Sequence, residues 1–257
     1  MSKIKNAFDH GKAFIGFLTA GDPSLDKTKE FILSMADAGA DLIEIGIPFS
    51  DPIAEGEVIQ KANLRALSAG TNLPKIFEMV KEVRMKTKIP LVFLTYLNPV
   101  FTYGYDHFFK DCSETGVDGV IIPDLPYEEK GELQPFSDKY KVDIISLIAP
   151  TSEARIAQIA SGARGFVYCV SSMGVTGVRQ EIKTDIPSIV KAIRSATNTP
   201  VAVGFGISTP QQALEIGQFS DGIIVGSAIV KLIEEHREAS ARPLADFVKK
   251  MKQSISV

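Results

Sequence analysis

Glu44 stands inside an aliphatic run, Leu42, Ile43, Ile45 and Ile47, that opens the segment LIEIGIPFSDPIAEGEVIQ (Leu42–Gln60). A carboxylate in apolar surroundings is costly unless it is paired or has chemistry to perform, and burial raises its pKa toward neutrality. After Gly46 and Pro48 the run gives way to a polar loop carrying Asp51 and Glu55. An acid at a strand end, with more acids in the following loop, suits general acid/base chemistry. The competing reading is a core glutamate satisfied by a buried Arg or Lys from a neighbouring element. The acid/base reading is preferred because buried, unpaired acids cluster at active sites.

Strand-like runs that must position these acids recur at Phe14–Thr19, Leu42–Ile47, Pro90–Tyr96, Val117–Ile122, Asp143–Ile148, Gly165–Val170, Val201–Gly204 and Asp221–Val225. Helical spacing fills Leu25–Ala38, Asn72–Lys86, Phe108–Thr115, Tyr127–Lys139, Ser152–Ala160, Asp185–Ala196, Pro210–Ile216 and Pro243–Gln253. Asp22-Pro23-Ser24, Thr151-Ser152 and Ser208-Thr209-Pro210 offer helix starts, and Gly39, Gly116 and Gly162 offer stops. Strands apolar on both faces that alternate with helices imply a parallel sheet. Eight such units in 257 residues predict a (β/α)8 TIM barrel forming a single domain over residues 1–257. The rival doubly wound sheet lacks its usual Gly-rich turn after the first strand.

Barrel chemistry sits at the C-terminal ends of the strands. That rim collects Glu44, Asp51 and Glu55, then Asp124 after the fourth strand and Tyr168 late in the sixth. Taken alone, Asp124 reads as well as a mere helix cap, and a strand tyrosine such as Tyr168 is more often packing than chemistry. Two glycine-containing turns, VGFGISTP (Val203–Pro210) and VGSAIVKLI (Val225–Ile233), follow the last strands, where barrels frequently bind phosphate. Glycine lets backbone N–H groups approach the anion, and a helix N-terminus favours its charge. Gly206, Gly226 and Ser227 are the expected donors, with Gly177 of the Ser172–Gly177 segment opposite. Lys231 falls more than a turn beyond Gly226, so the backbone should do most of the binding.

Composition excludes other classes. A net charge of −3 gives no basic footprint for nucleic acid. No apolar stretch approaches the ~18 residues that span a bilayer, and MSKIKNAFDHGKAF has no signal-peptide core, so a cytoplasmic, membrane-free protein is expected. Two cysteines and three scattered histidines suggest neither a disulfide framework nor a metal site.

The chain resembles the α subunit of tryptophan synthase from Phe17–Pro23 (FLTAGDP) to Gly226–Lys231 (GSAIVK). The resemblance rests on IEIGIPFSDPIA (Ile43–Ala54), LTYLNPVFTYG (Leu94–Gly104), IIPDLP (Ile121–Pro126), SSMGVTG (Ser171–Gly177) and GFGIS (Gly204–Ser208). It implies a lyase that splits indole-3-glycerol phosphate into indole and glyceraldehyde 3-phosphate by a retro-aldol step. It implies no cofactor on this chain, and a β subunit carrying pyridoxal phosphate in an α2β2 tetramer. Glu44 aligns with the family's acid/base at indole C3, and Glu55 with the carboxylate that stabilises charge at the indole nitrogen. Phe17, Tyr96, Tyr168, Thr176, Gly177, Phe205, Gly206, Gly226 and Ser227 align with the substrate pocket. Asp51, Pro52, Asn98 and Pro99 align with the surface that meets the β subunit. Ser171–Thr184 reads as a lid in which Thr176 meets an acid of the earlier loop.

One departure stands out. The family's usual Ala-Asp-Gly-Pro is Ala54-Glu55-Gly56-Glu57 here, which lengthens the carboxylate by a methylene and frees the loop. A displacement of about 1 Å can cost about 10²-fold, so the pocket is expected to have readjusted around Glu55. Two other readings compete with the lyase: a weakly catalytic subunit that regulates a β partner, and another phosphate-binding barrel enzyme.

Overall fold

The computed structural model describes residues 3–151, 153–170, 185–204 and 206–256. Its strands are β1 (Ala13–Thr19), β2 (Leu42–Gly46), β3 (Leu91–Leu94), β4 (Gly119–Ile121), β5 (Asp143–Ile144), β6 (Ser146–Ile148), β7 (Val167–Val170), β8 (Val201–Gly204) and β9 (Gly222–Val225). All pair in parallel, in the order β5-β4-β3-β2-β1-β9-β8-β7-β6. The expected fifth strand, Asp143–Ile148, is thus divided at Ile145. Its first part pairs with β4 and its second with β7, so the ladder runs round the barrel through one interrupted strand. The expected (β/α)8 architecture is present, with its fifth unit broken.

Strand alternation sorts the apolar side chains into two layers. Leu42, Val92, Ile121, Ile145 and Ile224 fill the barrel interior. Ile43, Ile45, Phe93, Val203 and Ile223 face the surrounding helices. Each such side chain, fully buried, stabilises the fold by roughly 1.5–3 kcal/mol. Glu44 lies between Ile43 and Ile45, and the period of two turns it inward. Ile4, in a short 3-10 turn (Ile4–Phe8), closes the interior beside Ala13 and Ile145.

The helices are α1 (Leu25–Asp37), α2 (Glu57–Ser68), α3 (Leu73–Arg84), α4 (Leu97–Tyr103), α5 (Tyr105–Thr115), α6 (Gln134–Tyr140), α7 (Glu153–Ser161), α8 (Ile186–Ala196), α9 (Pro210–Gly217), α10 (Ser227–His236) and α11 (Ala241–Ile255). Ser24 caps α1 by accepting from Lys27 N–H, and Thr209 forms a capping box with Gln212 at α9. Three helices go beyond the sequence reading. α2 begins just past the polar loop, α4 occupies the third connection, and α10 follows the last glycine turn. The expected helix Tyr127–Lys139 is a 3-10 turn (Tyr127–Glu132) followed by α6. Gly131 loosens the first segment, and Pro135 restarts the second within its first turn.

Candidate active site

A cavity of about 510 Å³ opens at the C-terminal ends of the strands, with Glu44, Glu55, Phe17 and Tyr168 in its lining. Glu44 is 1% exposed, and its Oε1 has no hydrogen-bond partner among the described residues. Among the described residues no Lys or Arg pairs with it, so no satisfied core ion pair is seen there. Desolvation alone pushes its carboxyl up to about 8, so it is protonated at neutral pH. The phenol of buried Tyr168 is raised well above its ordinary value, first by burial and then by the nearby Glu44 charge.

Glu55 is buried although its loop is polar. The chain turns back into the barrel ahead of α2, leaving Glu55 6% exposed. Asn63 Nδ2, on the buried face of α2, donates to Glu55 Oε2 at 2.6 Å. Gln60 Nε2 donates to the Glu55 backbone oxygen at 2.7 Å. Tyr96 O–H bonds the same carboxylate, while its oxygen accepts from Ala54 N–H at 3.1 Å. Burial raises the Glu55 carboxyl to about 7 against the lowering effect of Asn63 and Tyr96. The longer side chain therefore has fixed partners. Asn63 was missed by sequence reasoning, because it belongs to no motif and its role depends on α2.

Phe17 forms one wall. A Cβ at Gly46 would come within 2.7 Å of its ring, so the strand can bear no side chain there. Tyr96 packs its ring 5.5 Å from that of Phe49. Gly206, at φ +89°, and Gly226, the N-cap of α10, bring the two late turns to the same cavity, with Ser227 as the first residue of that helix. Lys231 is directed to Glu235 at 4.0 Å and stands outside the cavity lining. Asp124 takes the role of a cap: its Oδ1 accepts from Leu97 N–H at 2.9 Å, at the start of α4. Thr176, Gly177, Phe205 and the Ser171–Thr184 segment lie outside the described residues.

On the outer rim, Asp51 and Asn98 are exposed, while Pro52 and Pro99 are half-buried. Beside them in sequence are Ile53, 70% exposed, and Phe101, 67% exposed. These two apolar residues were not singled out from sequence. Among the described residues no group of His, Cys, Asp and Glu is placed to hold a metal ion, and no helix is long and apolar enough to cross a membrane.

The family model described as tryptophan synthase alpha chain matches residues 3–256. The chain belongs to that family. It is 50% identical over 256 residues to the tryptophan synthase alpha chain of Lactiplantibacillus plantarum, covering 99% of this chain and 97% of that relative. With the alpha chain of Lacticaseibacillus casei it shares 46% identity over 255 residues, covering 99% and 96%. The fold superposes on Mycobacterium tuberculosis tryptophan synthase with a TM-score of 0.91 at 32% identity, covering 100% of this chain and 99% of the other. Tryptophan synthase subunit alpha from Legionella pneumophila gives 0.90 at 34% identity, covering 99% and 98%. In this chain the Glu44–Glu55 cavity and the two glycine turns are one pocket at the strand ends.

Proposed function

We propose that Glu44 moves the proton and Glu55 holds the charge in the cleavage of indole-3-glycerol phosphate. The chain is a carbon–carbon lyase of tryptophan biosynthesis that releases indole and glyceraldehyde 3-phosphate. In this reading protonated Glu44 gives its proton to indole C3, and positive charge develops at the indole nitrogen. The Glu55 carboxylate, fixed by Asn63 and Tyr96, faces that charge. The bond between C3 and the glycerol carbon then breaks. Its electron pair restores the indole, and the carbinol proton returns to Glu44 as the aldehyde forms. Atoms balance, and Glu44 ends protonated as it began.

The phosphate lies against Gly206, Gly226 and Ser227, where backbone N–H groups and the start of α10 favour an anion. Phe17, Tyr96 and Tyr168 enclose the indole, and Thr176, Gly177 and Phe205 complete the pocket. Asp51, Pro52, Asn98 and Pro99, with Ile53 and Phe101, meet a β subunit in an α2β2 assembly. That partner carries the pyridoxal phosphate, while this chain works without a cofactor or metal, as one domain in the cytoplasm.

The observation that carries the reading is the buried Glu44, whose Oε1 has no partner among the described residues and which is protonated at neutral pH, in one cavity with a Glu55 held by two hydrogen-bonding side chains. The test is indole release from indole-3-glycerol phosphate, with and without β subunit. Glu44→Gln is expected to lose at least about 10²-fold, the usual worth of a positioned acid or base. Near-normal release by that variant ends the assignment.

A further inference from the structure

The broken fifth strand leaves an opening in the barrel wall. The β4–β5 ladder ends at Val120 and Ile144, with Ile145 N–H donating to Val120 O at 2.9 Å. Beyond that point β6 pairs with β7 on its other side. Pro123 cannot donate a backbone hydrogen bond, and among the described residues no ladder bond joins the upper half of β4 to β6. The main cavity is lined both by Leu147, packed on the interior cluster, and by Ile144, of the layer facing the helices, with buried Ser146 beside them. Touching both layers at the break between β5 and β6, the cavity extends past the wall. It does so through this gap, reaching the layer beneath the 3-10 turn Tyr127–Glu132 and α7.

In that side chamber stands a cation that the cleavage reaction does not use. Lys130 Nζ has Ser146 Oγ at 3.5 Å, and among the described residues no carboxylate forms an ion pair with it. The other cations nearby are engaged: Arg155 forks onto Glu128, and Arg164 pairs with Asp138. Tyr127 and Ile159 supply apolar walls. We propose that this side chamber is a second ligand site, taking a small aromatic carboxylate whose anionic end meets Lys130 Nζ and Ser146 Oγ. One ammonium and one hydroxyl, with no glycine turn beside them, match a monoanion rather than a phosphate. The apolar walls match a flat hydrocarbon body. Burial, together with Arg164, lowers the Lys130 pKa, and Asp143 and Asp138 only partly offset this. A bound carboxylate supplies the direct ion-pair partner that no described residue gives the ammonium. The site is separate from the phosphate turns and stands independently of the proposed reaction.

The experiment titrates the full chain with benzoate, followed by ligand-observed NMR, alongside glycerol 3-phosphate as a probe of the phosphate turns. Benzoate is expected to saturate wild type and Lys130→Arg. It should bind about tenfold or more weakly to Lys130→Met and a few-fold more weakly to Ser146→Ala, the range a charge-assisted hydrogen bond supplies. Neutral benzamide should not distinguish wild type from Lys130→Met. Affinity for glycerol 3-phosphate should be equal in all four proteins, and glycerol 3-phosphate should not displace benzoate. The proposal is overturned if benzoate fails to saturate, binds Lys130→Met undiminished, or is displaced by glycerol 3-phosphate. If Lys130→Met does not fold, Ser146→Ala and Lys130→Arg decide the question.

Discussion

Glu44 is held at a cost to stability, and that cost has a sign. The unfolded chain loses this proton near 4.5, whereas the folded chain keeps it up to about 8. Between those values the folded state binds more protons, so stability falls as pH rises. The penalty reaches about 3 kcal/mol at pH 7 as an upper figure. Glu44→Gln should therefore lose cleavage yet gain stability, with the gain larger at pH 8 than at pH 5. Urea midpoints of both proteins at the two pH values measure it, and a gain independent of pH counts against burial as the cause. Glu55 gives the complementary expectation. Protonated Glu44 and ionised Glu55 together confine kcat/KM to a narrow bell with limbs near pH 7 and 8. The Asn63 hydrogen bond lowers the Glu55 pKa, so Asn63→Ala should move the acid limb to higher pH. A lower rate with an unmoved limb would make Asn63 merely structural.

At the scale of elements, the two glycine turns serve one purpose by different means, and substitution separates them. Gly206 has φ +89°, so Gly206→Ala is strained and should cost about 1–3 kcal/mol of stability as well as phosphate affinity. Gly226 has φ −114°, and the nearest atoms an added Cβ would meet are those of the Phe17 side chain, Cδ1 first at 3.4 Å. Gly226→Ala should stay folded within about 0.5 kcal/mol and still weaken glycerol 3-phosphate, because the methyl group stands where the phosphate approaches. Thermal melts with and without glycerol 3-phosphate read both quantities. Equal ligand stabilisation of Gly226→Ala and wild type would remove this turn from the phosphate site.

Across the whole molecule, the catalytic cavity and the proposed partner surface share the β2–α2 and β3–α4 connections. Tyr96 links them directly: its hydroxyl holds Glu55 and Ala54, and its ring packs on Phe49 of the same loop. Exposed Ile53 and Phe101 stand at the outer ends of these connections. Ile53→Ser and Phe101→Ser should leave the fold and the activity of the isolated chain near wild type. They should also weaken association with the β subunit and blunt its stimulation of cleavage. Analytical ultracentrifugation of the mixed subunits, with indole release at matched concentrations, measures both. Unchanged association by the double variant would place the partner elsewhere.

The sequence by itself determined the repeating strand–helix order, the inward Glu44 and the late glycine turns. Each is a local pattern: strand period, apolar runs and backbone freedom are written in adjacent residues. The family motifs then added Glu55 as an aligned acid. Only the tertiary structure decided what Glu55 touches, because its partners Asn63 and Tyr96 come from different elements that packing brings together. The same holds for Asp124, whose turn to Leu97 depends on the neighbouring connection, and for Ile145, where an unbroken apolar run conceals a strand that changes partners. Lys130 reads as an ordinary helix-surface lysine until the gap beside β6 gives it a cavity. Hydrogen-bond partners and openings are set by contacts between distant segments, and a linear pattern does not encode those distances.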